Sequence, residues 1–443
     1  MERGNFGSKI GAVLAAAGSA VGLGNIWRFP TECGSNGGAA FILIYILCVL
    51  LLAMPVMVAE FVIGRASRSN TVGSYRVLAP GKPWVVSGFL GVLGGFMVLS
   101  YYSVVAGWTL DYAFESISGG LLAHTDYGAV FNDFVSSPWR PVVFLGIFLF
   151  VTHCVVAAGV EKGIERYSKV MMPMLLLIIF VLIGFSISMP NASTGISFLL
   201  KPDFSKVTKD VILSAMGQAF FTLSVGIGTL ATYASYFNKE TKLVKTALGV
   251  CAIDTMVAVS AGFIIFPALF SVGVDADSGP GLVFITLPYV FNEAFGNMPV
   301  LEYVFSALFY VLLVLAALTS TISMHEIGTA YIHETFKLTR PKAAMVVTAI
   351  CLTFGIICSL SFGLWKEVTV MGMTFFDLFD FITAKFLMPL GGLLICTFVG
   401  WDMNKKLVAS ELNSRFTPLL MILFSWVAPI GIGIIFVYGL ISG

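Results

Sequence analysis

The chain has 443 residues, 58% hydrophobic and only 11% charged, where soluble domains carry roughly 25% charged residues. With a mean hydropathy of +0.94 it reads as an all-α polytopic membrane protein. A net charge of +1 gives no reason to expect a nucleic-acid partner, so the lipid bilayer is the surrounding to plan for. The seven cysteines lie mostly inside apolar runs without paired spacing, so buried thiols are expected and no disulfide framework.

Met1 to Asn5 lacks the small-residue exit of a cleavable signal and is expected to be a mature cytosolic end. Then comes the stretch around which the chain is organised, Gly18-Ser19-Ala20-Val21-Gly22-Leu23-Gly24-Asn25-Ile26-Trp27-Arg28-Phe29-Pro30. Glycine releases the backbone from the helix. Polar main chain at membrane depth is tolerated only where it is buried in protein or lines a cavity. A broken helix is therefore expected, with carbonyls suited to a small cation on one half and N–H groups suited to a carboxylate on the other. Read together, they describe an amino acid held beside an alkali ion.

About eleven apolar runs of spanning length follow from the sequence, the last from about Leu419 to Ile441. With the N-terminus inside, the inner loops collect most of the Lys and Arg, among them Arg65, Arg166, Lys169, Lys245, Arg340 and Lys406, a positive-inside bias. Between the seventh and eighth runs, about Asp275 to Met298, the chain is long and apolar enough for a folded external lid, although a flexible loop also fits. The sixth run carries a second interruption, Phe220-Phe221-Thr222-Leu223-Ser224-Val225-Gly226-Ile227-Gly228. Five spans separate the two, and five is odd, so the second unit enters from the opposite side. That is an inverted repeat, with a site at mid-depth between the breaks.

On these residues, and on Asn36-Gly37-Gly38, Glu60-Phe61, Gly64-Arg65, Tyr101-Tyr102, Gln218-Ala219, Tyr233-Ala234-Ser235-Tyr236 and Leu318-Thr319-Ser320, the chain resembles the neurotransmitter:sodium symporter family, as a bacterial member. The resemblance implies a leucine-transporter-like fold, a 5+5 inverted repeat with helices 1 and 6 broken. Its ten-helix transport core would cover 1–400, the repeats about 8–190 and 205–400, with the eleventh transmembrane helix in 401–443. It implies sodium-coupled import of a neutral amino acid by alternating access, as a monomer or weak homodimer in the bacterial inner membrane.

By the same resemblance two Na+ ions bind. The first would take the carbonyl of Ala20, Asn25, Thr222 and the seventh span, where Asp254 stands in place of the family's usual Asn. The second would take carbonyls of Gly18, Val21 and Ala316 with the hydroxyls of Thr319 and Ser320. Tyr45, Gln218 and Thr222 match positions that line a chloride site in animal relatives, so Asp254 is expected to supply that negative charge and no chloride is needed. Protonation of Asp254 on the empty return is a further expectation. The substrate site would comprise Ser19, Ala20, Leu23, Gly24, Tyr102, Phe220, Phe221, Thr222 and Ser224, with Val98, Phe221, Ile227, Ser320 and Met324 around the side chain. Gly22 stands where monoamine carriers have Asp, which favours apolar or aromatic amino acids. Arg28 with Asp380, and Asp377 nearby, would form the outer gate, Phe221 covering the site. Arg3 with Glu334, Tyr236 with Glu326, and Phe6 would form the inner one.

An enzyme is disfavoured: His325-Glu326 lacks the second His of a zincin, there is no Walker loop, and Gly22-x-Gly24 runs on into Trp-Arg. An amino-acid-gated channel or a non-transporting membrane sensor remains as the alternative.

Overall fold

The structure, a computed structural model, describes residues 4–275, 281–295 and 298–441, with side chains to 437. Among these residues it is helical throughout apart from loops and one isolated bridge between Val370 and Met373. The first helix, α1 (Lys9–Ala20), is capped by Ser8, whose hydroxyl accepts from the Gly11 N–H at 3.0 Å. After a break the chain continues as α2 (Gly24–Ser35), bent 51° from α1. There follow α3 (Ala39–Ser67), α4 (Val85–Ser118), α5 (Arg140–Ala157) and α6 (Val160–Ile187). Next come α7 (Lys209–Thr222) and α8 (Thr229–Ala234), then α9 (Leu243–Ser271) and α10 (Pro299–Phe336). The series ends with α11 (Arg340–Leu360), α12 (Phe375–Asp402) and α13 (Thr417–Val437).

Nine of these are long and apolar enough to cross a membrane singly, and the bent pair α1/α2 makes a tenth. The expected sixth run is the pair α7/α8, each half too short to span alone, which brings the series to the eleven expected positions. The fifth span starts earlier than its hydropathy alone suggests, at Val160, because a wide turn over Val160–Glu165 leads into it.

Helices α4, α5, α10 and α11 pack on one another as a frame. Inside it Thr348 on α11 gives its only proton to the Ala344 carbonyl at 2.9 Å. Its oxygen can therefore only accept, and the donors are Nδ1 of His153 on α5 at 3.1 Å and Nε2 of His325 on α10 at 2.9 Å. His325 Nδ1 is left to accept from Thr329 at 2.9 Å, so the buried polar groups clasping three frame helices are satisfied. The broken helices lie against this frame, with α3 and α9 packed on them from the other side.

Of the segment expected to be either a folded lid or a flexible loop, the described residues are folded. Leu282–Phe295 is helical and its apolar face is buried. Hydroxyls of Tyr112 and Tyr310 donate to the carbonyls of Phe284 and Val283 at 3.0 and 2.9 Å. The Phe284 ring packs against Trp27, Trp108 and Tyr112.

Candidate functional site

Where α1 stops, its last carbonyls lose their helical partners. The Ser224 hydroxyl donates to the Ser19 carbonyl at 3.3 Å, and Thr319 and Ser320 on α10 point their hydroxyls at the Val21 carbonyl, at 3.0 and 3.3 Å. Thr319 Oγ1 also lies 2.9 Å from the Ala316 carbonyl. One hydroxyl has one proton, so Thr319 serves either its own helix or the break at a given moment. On the far side of the gap the Leu23 N–H donates to the Tyr102 hydroxyl at 2.9 Å. The break is narrower than the glycine pattern suggests, because helical geometry resumes at Gly24, in a wide turn over Gly24–Arg28 that runs directly into the α-helical stretch holding Pro30.

The second break, Leu223 to Gly228, turns on three positive φ angles: Ser224 at 51°, Gly226 at 95° and Gly228 at 75°. Its N–H groups are held by a residue that sequence reasoning passed over. Glu60, fully buried on α3, accepts from Gly226 at 2.7 Å and from Leu230 and Ala231 at 3.1 Å each. A carboxylate at the start of α8 satisfies the orphan donors of that half-helix and meets the positive end of its dipole.

Between the breaks sits Asp254, fully buried on α9. Its Oδ1 accepts from the Asn25 amide at 2.7 Å and from Thr222 at 3.0 Å, and its Oδ2 from Tyr45 at 3.0 Å. Asn25 in turn accepts the Gly22 N–H at 2.9 Å. Three side chains from α2, α3 and α7 thus converge on one carboxylate. Gln218 donates to the Gly24 carbonyl at 2.9 Å, and its own carbonyl oxygen is buried without a hydrogen-bond partner.

A narrow cavity, with room for little more than a water molecule, lies beside these groups. Its walls include Ala20, Gly24, Val98, Tyr102, Phe221, Thr222, Ser224, Ile227, Ser320 and Met324, all expected there. A Cβ at Gly22 would sit 2.3 Å from the Ser320 hydroxyl and 2.8 Å from that of Tyr102, so only glycine fits. Three of the expected residues do not line this cavity. Phe220 faces away, into a neighbouring pocket; Leu23 lines the vestibule above; Ser19 lies behind the wall and contributes its carbonyl, through Ser224. One wall residue, Met388 on α12, was not foreseen.

Phe221 separates this cavity from a vestibule of about 990 Å³ lined by Trp27, Arg28, Tyr101, Phe376, Asp377 and Asp380. The expected Arg28–Asp380 pair is not formed. Arg28 lies 3.8 Å from Glu32 and 4.3 Å above the Phe221 ring, while Asp380 lines the same vestibule. Thr374 caps the start of α12, accepting the Asp377 N–H at 3.2 Å and donating its hydroxyl to the Asp377 carboxylate at 2.7 Å.

The opposite side is filled. Phe6 is buried among the rings of Tyr233, Tyr236 and Phe237, and its N–H donates to the Tyr236 carbonyl at 3.1 Å. Tyr236 donates to Glu326 at 2.5 Å, as expected, and Arg340 joins the same carboxylate at 2.5 and 3.1 Å, which was not expected. Glu334 accepts from the backbone and side-chain N–H groups of Asn70 at 2.9 and 2.8 Å. Its expected partner Arg3 lies outside the described residues. Glu165, also unforeseen, ties down the leading segment, accepting from the Gly7 N–H and the Ser8 hydroxyl at 2.6 and 2.8 Å.

Two interrupted helices facing each other inside a helical frame, with a small cavity between them that is walled off on one side and lies under a vestibule on the other, define a secondary transporter of the leucine-transporter-like fold. The chain belongs to the sodium:neurotransmitter symporter family, whose model matches residues 3–133 and 136–442. It is 40% identical over 440 residues to the uncharacterized sodium-dependent transporter YhdH of Bacillus subtilis, covering 97% of this chain and 96% of that one. A sodium-dependent transporter of Haemophilus influenzae, also uncharacterized, is 35% identical over 455 residues, covering 99% and 98%. Among solved structures, the crystal structure of MhsT in complex with L-phenylalanine superposes with a TM-score of 0.91 at 42% identity, covering 99% of this chain and all of that one. The family is one of transporters, not enzymes, and its sodium dependence makes Na+ the coupling ion.

Proposed function

We propose that the protein imports neutral amino acids with apolar or aromatic side chains together with sodium, by alternating access and without chloride. The observation that carries this reading is the convergence of Asn25, Thr222 and Tyr45 on Asp254 between the two breaks. A fixed carboxylate there supplies beside a sodium ion the negative charge that chloride would bring. The amino acid's carboxylate takes the N–H groups of Leu23 and Gly24 and the Tyr102 hydroxyl. Its ammonium takes carbonyls of Ala20, Phe221 and Thr222 with Ser224. One sodium lies between Ala20, Asn25, Thr222 and Asp254; the other takes Gly18, Val21, Ala316, Thr319 and Ser320. Oxygen-only donor sets of this kind suit a hard cation. Since substrate and the first ion share a site, each raises the other's affinity, and linkage makes the effect reciprocal.

The apolar walls Val98, Phe221, Ile227 and Met324 support an apolar or aromatic side chain, and MhsT was crystallised with L-phenylalanine. The vestibule is the outer entry, and Phe6 with the Tyr236–Glu326–Arg340 cluster is the closed inner gate. The repeats occupy about 8–190 and 205–400, and α13 stands outside them. The test is uptake of labelled leucine and phenylalanine into proteoliposomes. A sodium gradient should drive it, and replacing chloride with gluconate should leave it unchanged; strict chloride dependence defeats the role given to Asp254.

A further inference from the structure

Beside the central cavity, on the far side of Met388 and Phe221, lies a second pocket of about 280 Å³. It is built by α7, α12 and α13, the last contributing Ile432 and Ile435, with Arg28 and Glu32 of α2 at its charged end. Asp210 in the first turn of α7 and Lys385 on α12 belong to its charged end; Phe220, Met388 and Pro389 form its apolar end. In α7, Asp210 and Phe220 are ten residues apart, about 15 Å along the helix, so the two ends are well separated. Phe220, Gly392 and Ile432 meet at the apolar end, a Cβ at Gly392 lying 3.0 Å from the Phe220 ring and 3.6 Å from Ile432.

The wall between cavity and pocket is rigid in its main chain and soft in its side chain. A Cβ at Gly391 would lie 1.8 Å from the Gly226 carbonyl oxygen, and one at Gly226 would lie 2.2 Å from the Met388 carbonyl oxygen. The unwound segment and α12 therefore touch backbone to backbone, and neither can close up further. Met388 itself is unbranched, with three rotatable bonds and a polarisable sulfur, the kind of side chain that changes rotamer at little cost. It is buried against Ile227, whose side chain lines the cavity.

We infer that Met388 is a movable partition and that the apolar end of the α7–α12–α13 pocket is an auxiliary subsite for the side chain of bulky aromatic amino acids. This rests on the substrate reading above. A branched aliphatic side chain is accommodated by a modest widening of the cavity, with Met388 in its present place. An indole or phenol ring turns the methionine side chain aside and enters the space bounded by Phe220, Pro389 and Ile432. Phe220, out of reach of the cavity now, then becomes part of the substrate wall. The last span takes part in selectivity without touching the ions.

The test compares labelled valine and tryptophan uptake in proteoliposomes. Ile432→Trp fills the pocket from α13 and alters no residue of the central cavity. It should leave valine uptake within about twofold of the parent while raising the tryptophan KM about tenfold, the scale on which pocket fit discriminates apolar side chains. Met388→Ala should shift the ratio the other way, towards tryptophan. An unchanged tryptophan-to-valine ratio in Ile432→Trp, with valine uptake intact, overturns the subsite alone. Absence of sodium-driven uptake of either amino acid by the parent protein removes the substrate reading, and the subsite with it. Should Ile432→Trp lose valine uptake as well, Ile435→Phe makes the same comparison with a smaller intrusion.

Discussion

Glu60 accepts the Gly226 N–H at 2.7 Å, and through that bond a continuous helix dictates the shape of a discontinuous one. Glu60→Ala would leave the N–H groups of Gly226, Leu230 and Ala231 buried without acceptors, at about 1–3 kcal/mol apiece. The expected outcome is a protein that melts well below the parent in detergent and has lost sodium-driven uptake. Thermal unfolding with and without sodium checks the first, a proteoliposome assay the second.

Asn25 bridges Gly22 and Asp254, so Asn25→Ala cuts the break off from α9. Coupled uptake should disappear while the protein remains folded, since only one side chain of the cluster is gone. Gly24→Cys should instead obstruct the path, because a Cβ there already lies 3.2 Å from the Phe221 ring. Its uptake should fall at least tenfold with sodium-stabilised melting retained.

Asp254→Asn keeps the size of the side chain and removes its charge. If that charge stands in for a halide, the variant should transport poorly in gluconate and recover in chloride, whereas the parent is indifferent. Uptake in the two salts at fixed sodium decides the matter.

Glu326 is fully buried and is held by Tyr236 and Arg340. Arg340→Ala strands that carboxylate, a change worth about 3–5 kcal/mol for a buried pair. The closed inner gate should then lose population, and substrate affinity should fall in proportion to the outward-facing fraction, tenfold or more. Tyr236→Phe removes one hydrogen bond and should do the same more weakly. Equilibrium binding of labelled substrate in detergent reads both.

Both breaks are legible from sequence because glycine recurs there among polar residues inside apolar runs, and at Gly226 and Gly228 the positive φ angles are the physical reason. The width of the first break is not legible, since the point of departure from the helix depends on hydroxyls of Tyr102, Thr319 and Ser320, two of them about 300 residues away. Glu60 left a signal that was read only as part of a motif: a carboxylate inside an apolar run is expensive and functional by default. Arg340 left none, because a cation at a helix end is the usual mark of an inner loop. Arg28 and Asp380 both line the vestibule, but whether the two join is not written in either residue's neighbours along the chain.

The contact between Gly226 and Gly391 has a bearing on how such a carrier can diversify. Where two peptide planes meet with no side chain between them, there is nothing for substitution to tune by degrees: a change at either glycine is tolerated with difficulty or not at all. A change of preference is therefore left to the flanking, replaceable side chains, with the two glycines themselves kept fixed by their contact.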